Sequence, residues 1–148
     1  MRAIIQRVSK AEVVIDGLLK SSIKQGLLIF LGIKEDDSEI DIQKLVSKVI
    51  NMRIFADQDD KMNQSVLDCK GEILLISQFT LYGNVKKGNR PSFIEAAKPE
   101  IAKPVYEKCI ASFENAMGKS ISTGTFGADM QVTLTNDGPV TIWYDTLD

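Results

Sequence analysis

No histidine occurs anywhere in the 148 residues. Its absence removes the Ser-His-Asp and Cys-His arrangements of nucleophilic catalysis, the usual His-based zinc sites and the commonest general base near neutral pH. Any catalysis by this chain uses something else. Cysteine is scarce as well: Cys69 and Cys109 lack CxxC spacing, which suits a reduced cytosolic protein better than a disulfide scaffold. Long apolar runs are missing. The longest, Leu27 to Ile33, is too short to span a bilayer, and Met1 to Val8 carries two arginines rather than a signal-like core. Nor is there an excess of cations, since the net charge of −2 argues against bulk, sequence-blind attraction to nucleic acid. What remains is a soluble, cytoplasmic chain with no membrane segment. A domain of this size buries roughly 70% of its unfolded surface, so one domain over residues 1–148 needs no disulfide or metal staple.

The pattern of the chain predicts many strands and two helices. Ala3 to Val8, Ala11 to Ile15 and Gly26 to Ile33 are β-branched runs bounded by Gly17, Gly26 and Gly32. Asp36, Asp37 and Ser38 then offer an N-cap, and Ile42, Leu45, Val46, Val49 and Ile50 recur at helical spacing up to about Arg53. Glu72 to Phe79 reads as a mostly apolar strand. A second helix is expected from about Pro99 to Met117, with Gly118 as its stop and Pro104 either starting it or bending its first turn. A short strand near Ile121 to Thr125 and a final strand pair, Gln131 to Thr135 and Val140 to Asp145, follow. Helices separated by sheet imply an α+β domain, with a curved antiparallel or mixed sheet or a β-barrel-like core.

Four stretches could carry function. "SQFT", Ser77 to Thr80, ends the apolar strand with polar groups that suit either a ligand site or an ordinary strand cap. Without histidine, Ser77 or Thr80 could act as a nucleophile only with a lysine, a carboxylate or the substrate as base. Asn84 to Lys103 sets Lys86, Lys87, Arg90, Lys98 and Lys103 against Glu95 and Glu100, a local cationic patch or a solvated loop. The cluster Asp57, Asp59 and Asp60 lacks the glycine and terminal glutamate of a calcium loop and reads as a turn. In "NDGPVT", Asn136 to Thr141, the Asp-Gly hairpin signal conflicts with Pro139, because the residue before proline is pushed toward extended ψ. A cis Gly138–Pro139 bond in a tight turn is one resolution, and it would present consecutive main-chain carbonyls as a backbone acceptor pair.

"MRAIIQRV" at the start, "SQFTL" at 77–81, "KGNRPSF" at 87–93, "GTFGADMQV" at 124–132 and "NDGPVT" at 136–141 together resemble the D-aminoacyl-tRNA deacylase family. The resemblance spans almost the whole chain, in order. It implies a homodimer in which Gly138 and Pro139, cis in the family, reach into the neighbouring subunit's active site and select chirality. It implies hydrolysis of the ester joining a D-amino acid to the 3′-terminal ribose of tRNA, with no cofactor and no metal, and with no DNA or membrane as partner. Ser77, Gln78, Phe79 and Thr80 match the family's catalytic pocket, Phe126 and Met130 lie near it, and Arg7, Lys86 and Arg90 match partners for the terminal nucleotides. A 2′-OH on the ribose could supply the missing proton chemistry, with Thr80 as nucleophile the other route. Two readings stand beside these: a β-rich tRNA-binding module without catalysis, and a metal-dependent hydrolase using Asp57, Asp59 and Asp60.

Overall fold

The computed structural model of the chain describes residues 1–147. Its first strand, β1, is Arg2–Ile15, where the sequence pattern suggested two separate strands. The buried residues explain both readings. Ala3 and Ile5 face one core while Val8, Ala11 and Val13 face another, so the alternation changes phase mid-strand. Irregular pairing on either side of Val8 makes the change without ending the strand. Asp16 and Gly17, with φ of +51° and +76°, then turn the chain into β2, Leu18–Ile23. This is an Asp-Gly hairpin of the type the right-handed twist favours.

β3, Gly26–Gly32, pairs antiparallel with the first half of β1 and parallel with β6, Glu72–Ser77. Both strands are buried on two faces, which is why each is a continuous apolar run. Leu27, Ile29, Leu31, Ile73 and Leu75 pack toward the helices, while Leu28, Leu74 and Ile76 fill an inner cluster with Val8 and Val13. β7, Ser122–Thr123, extends the sheet beside β6. The sheet then curls until its ends nearly meet. The Ser21 hydroxyl donates to Thr123 O at 2.8 Å, and that of Ser122 to Ser22 O at 3.4 Å, joining β2 to β7. The result is a mixed sheet almost closed into a barrel, flanked by two helices.

Helix α1, Glu39–Asn51, begins at Ser38, whose amide and hydroxyl both donate to the Asp41 carboxylate at 2.9 and 2.7 Å. It ends two residues before Arg53, with Met52 as its C-cap. Helix α2, Pro99–Met117, starts with proline at its first position and stops at Gly118 in the left-handed region, as the sequence predicted. Pro104 lies inside it and deprives the Glu100 carbonyl of its partner amide. Between α1 and β6, β4 (Phe55–Ala56) and β5 (Met62–Gln64) form a small hairpin. The acidic cluster is its turn: the Asp57 carboxylate accepts from the amides of Asp59 and Lys61 at 2.9 and 3.1 Å.

The end of the chain corrects the sequence reading most. Among the described residues no terminal strand pair forms. Gln131–Asp145 is one strand, β8, whose two halves both pair with β1. "NDGPVT" is therefore an excursion within a strand rather than the tip of a hairpin. Val8 pairs with Asn136 and Gln6 with Thr141, so the four residues from Asp137 to Val140 bulge out opposite Arg7 alone.

Candidate active site

The end of β6 hands the chain to a 3-10 turn, Phe79–Tyr82, laid against the end of β3. Gly32 makes that approach possible, because a Cβ there would stand 3.1 Å from Leu81 Cβ and 3.2 Å from the Gln78 carbonyl. The Gln78 amide continues the sheet by donating to Leu31 O at 2.7 Å, and its side chain turns to the Thr80 hydroxyl at 2.5 Å. The main-chain amides of Phe79 and Thr80 have no partner among the described residues. Arg2 secures the far end of the turn. Its Nη1 donates to Leu81 O at 3.2 Å and its Nε to Asp145 at 3.0 Å, and the guanidinium stacks 4.4 Å from the Tyr82 ring centre.

Beside this turn opens a cavity of about 540 Å³. Phe30 and Ile76 line it from the sheet, Phe79 and Phe93 stand at one side, Pro99 and Ala102 of α2 at another, and Phe126, Gly127, Ala128 and Met130 close it. Phe79 and Phe93 meet edge to face at 5.1 Å. Gly124 leaves room for the Met130 sulfur, which a Cβ would strike. Phe126 leans on the Tyr106 ring at 5.8 Å, and the buried Tyr106 hydroxyl donates to Leu75 O at 2.7 Å, tying the cavity wall to β6. Burial raises the Tyr106 hydroxyl well above its usual pKa, so it remains a donor. The wall is apolar except for Ser77 and Gln78, and no acidic or basic side chain lines it. Such a site can enclose an apolar side chain and aim main-chain donors. It supplies no side-chain base.

Ser77, Gln78, Phe79, Phe126 and Met130 thus line one cavity, with Thr80 joined through Gln78. Gly138, Pro139, Arg7, Lys86 and Arg90 do not line this cavity. Lys86 and Arg90 sit on an exposed loop pinned by reciprocal Asn84–Ser92 main-chain bonds of 2.8 and 2.9 Å. Arg7 lies behind the β8 excursion: its Nε donates to Asp137 O at 2.8 Å and its Nη1 to Ile54 O at 2.6 Å. Its side chain is 12% exposed.

The excursion itself is exposed at Asp137, Gly138 and Pro139, and the Gly138–Pro139 bond is cis. Gly138 has φ of +149°, and a Cβ there would lie 2.7 Å from both the nitrogen and a methyl carbon of Val140. Asn136 closes the loop with its side-chain amide, accepting from the Val140 amide at 2.7 Å while donating to Val140 O at 3.0 Å and to the Thr141 hydroxyl at 3.1 Å. Sequence reasoning passed over this asparagine, together with Tyr106 and Phe93 as parts of the site. Across the sheet, the row Ile76, Phe30, Ile4, Trp143 continues from the cavity floor to a tryptophan 51% exposed.

Residues 4–145 match the family model described as D-Tyr-tRNA(Tyr) deacylase. The chain is similar to proteins named D-aminoacyl-tRNA deacylase from Bacteroides thetaiotaomicron, at 58% identity, and from Porphyromonas gingivalis, at 56%. Each match covers 99% of this chain and 97% of the relative. Among solved structures it is similar to one described as the c-Myc DNA unwinding element binding protein, at 39% identity and a TM-score of 0.93 over 98% of both chains. A probable eukaryotic D-amino acid tRNA deacylase shares the fold, with a TM-score of 0.84 over 97% of both chains at 16% identity.

Proposed function

Because the chain belongs to the D-Tyr-tRNA(Tyr) deacylase family, we propose that it hydrolyses the ester of D-aminoacyl-tRNA in the cytoplasm, releasing free D-amino acid and tRNA. The observation that carries this reading is an apolar cavity without any ionisable side chain, set beside two unpaired main-chain amides. An enzyme so built leaves the proton chemistry to its substrate. The terminal ribose carries a 2′-OH next to the ester, which can orient a water and relay its proton to the leaving 3′ oxygen, and this makes RNA rather than DNA the substrate. Water oxygen adds to the carbonyl carbon as its proton passes to the 2′-OH, the oxyanion is held by the amides of Phe79 and Thr80, and the bond to the 3′ oxygen breaks as the 2′-OH gives up its own proton to that oxygen. Positioning and oxyanion contacts need to supply about 1.4 kcal/mol for each factor of ten, on an ester that is already labile. Thr80, held by Gln78, orients water or substrate in this scheme. As a nucleophile it would lack a base among the residues lining the cavity.

Chirality is selected by Gly138 and Pro139 of a second subunit. Three features support that arrangement: the excursion is exposed, it is absent from its own chain's cavity, and the apolar row through Ile4 and Trp143 leads outward from the cavity floor. Main-chain carbonyls at the tip would hold the α-ammonium while the turn fills the volume of an L side chain. A backbone device excludes every L residue and leaves the D side chain in the cavity, and it admits glycine, which has no side chain to exclude.

Matched D- and L-tyrosyl-tRNA, each incubated with and without chelator, test the function. Hydrolysis of the D ester alone, indifferent to chelator, is expected. Tight tRNA binding without hydrolysis would favour a binding module, and loss of activity in chelator would favour the metal-dependent reading.

A further inference from the structure

The segment Val85 to Pro91 stands out as a flap, pinned at its base by the Asn84–Ser92 pair. It carries Lys86, Lys87 and Arg90 and no carboxylate, on a chain whose net charge is −2. All three cations are exposed, and none is held in an ion pair among the described residues. Its base is built into the turn that bears Thr80. The Gly83 amide donates to Thr80 O at 2.9 Å, and a Cβ on Gly83 would lie 3.0 Å from the Phe93 ring. Phe93, the second residue beyond the flap's end, closes against Phe79 at the cavity edge. The cations thus belong to a loop whose base adjoins the turn that bears Thr80 and the edge of the cavity.

We propose that the flap is a phosphate clamp: Lys86, Lys87 and Arg90 grip consecutive phosphodiesters of the RNA acceptor end and so set how deep the terminal ribose enters. The inference rests on the deacylase reading and extends it from terminal nucleotides to the RNA backbone. A lone ammonium neutralises one phosphate, and releasing its counterion makes binding salt-dependent, with a slope of about 0.7 to 0.9 per contact. Three contacts therefore correspond to about a 20- to 40-fold fall in kcat/KM between 50 and 200 mM salt. Because an aminoacyl-adenosine has no internucleotide phosphate, its hydrolysis gains nothing from the flap.

The experiment compares D-tyrosyl-tRNA with D-tyrosyl-adenosine, at several salt concentrations, for the wild-type chain, a Lys86→Gln/Lys87→Gln/Arg90→Gln variant and a Lys86→Arg/Lys87→Arg variant. In the Gln variant the salt slope for tRNA should fall by about two to three, and the preference for tRNA over the adenosine ester by about tenfold or more. The Arg variant should keep both. An unchanged slope and preference in the Gln variant would overturn the clamp while leaving the deacylase reading intact. If the wild-type chain hydrolysed neither ester, the deacylase reading would fall and the clamp with it.

Discussion

Asn136 should determine whether the β8 excursion holds its shape. Val140 is 8% exposed, and its amide has the Asn136 side-chain oxygen as partner at 2.7 Å. Removing that oxygen in Asn136→Ala leaves a buried N–H unpaired, which costs about 1 to 3 kcal/mol, and the lost bond to Val140 O adds about 1 kcal/mol. A total of about 2 to 4 kcal/mol corresponds to a fall in Tm of about 4 to 16 °C for a domain of this size. Asn136→Asp separates the accepting bond of Asn136 from its donating one. It keeps an acceptor for the Val140 amide but sets a carboxylate oxygen against Val140 O, so it should be stabilised relative to Asn136→Ala only when acid protonates it into a donor. The assay pairs thermal unfolding with deacylation of D- and L-alanyl-tRNA. If the loop excludes L side chains by its shape, both variants should accept the L ester at least about tenfold better relative to the D ester than wild type does. Variants within about 0.5 kcal/mol of wild type, with an unchanged D/L ratio, would refute the reasoning.

Thr80→Ala should lower kcat by roughly ten- to a hundredfold, as expected for a positioning hydroxyl; a loss of many orders of magnitude in a folded variant would make Thr80 the nucleophile. Sedimentation should show a symmetric dimer. Gly138→Ala, whose Cβ would lie 2.7 Å from the Val140 nitrogen, should displace the carbonyls that hold the α-ammonium and abolish hydrolysis of the D ester, and mixing those chains with Thr80→Ala chains should restore about a quarter of wild-type activity, since statistical heterodimers contain one intact composite site; no recovery on mixing would place each site within one chain. Acid should weaken the fold through Asp41. Burial raises its carboxyl, but bonds from the Ser38 hydroxyl and amide and the Thr146 hydroxyl, with the Met1 ammonium, outweigh this and hold it at about 2 instead of 3.8. A folded-state value below the unfolded one gives stability that is complete above 3.8 and is lost as pH falls toward about 2. Asp41→Asn should flatten that part of a urea-unfolding profile, and an unaltered profile would exclude the group.

Local chemistry made much of the architecture legible. The helices announced themselves through spacing and caps, Ser38 and Gly118 above all, and the two-faced burial of β3 and β6 appeared as unbroken apolar runs. β2 was passed over although Asp16-Gly17 is a strong hairpin signal, because "LLKSSI" alternates poorly: a strand that spends most of its length exposed carries little pattern. The single long strands β1 and β8 read as broken for other reasons. In β1 the buried alternation shifts phase after Val8, which looks the same in sequence whether the chain turns back or merely bulges, whereas β8 keeps its alternation throughout and was divided by the Asp-Gly turn signal at Asp137. The site divided similarly. Ser77, Gln78, Phe79, Phe126 and Met130 line one cavity, whereas Arg7 is engaged behind the excursion, a relation that depends on Ile54 lying across from it and on the four-residue mismatch in register. No spacing in the sequence encodes that distance.

Glycine tests the central claim most directly, because it has no side chain on either face of its α-carbon. A site that excludes by filling the volume of an L side chain cannot exclude it. Deacylation rates of glycyl-, L-alanyl- and D-alanyl-tRNA, measured under one set of conditions, should show glycyl- and D-alanyl-tRNA hydrolysed and L-alanyl-tRNA refused for the sake of one methyl group. Glycyl-tRNA as inert as L-alanyl-tRNA would mean that the cavity grips a D side chain positively, and would contradict selection by the Gly138–Pro139 backbone.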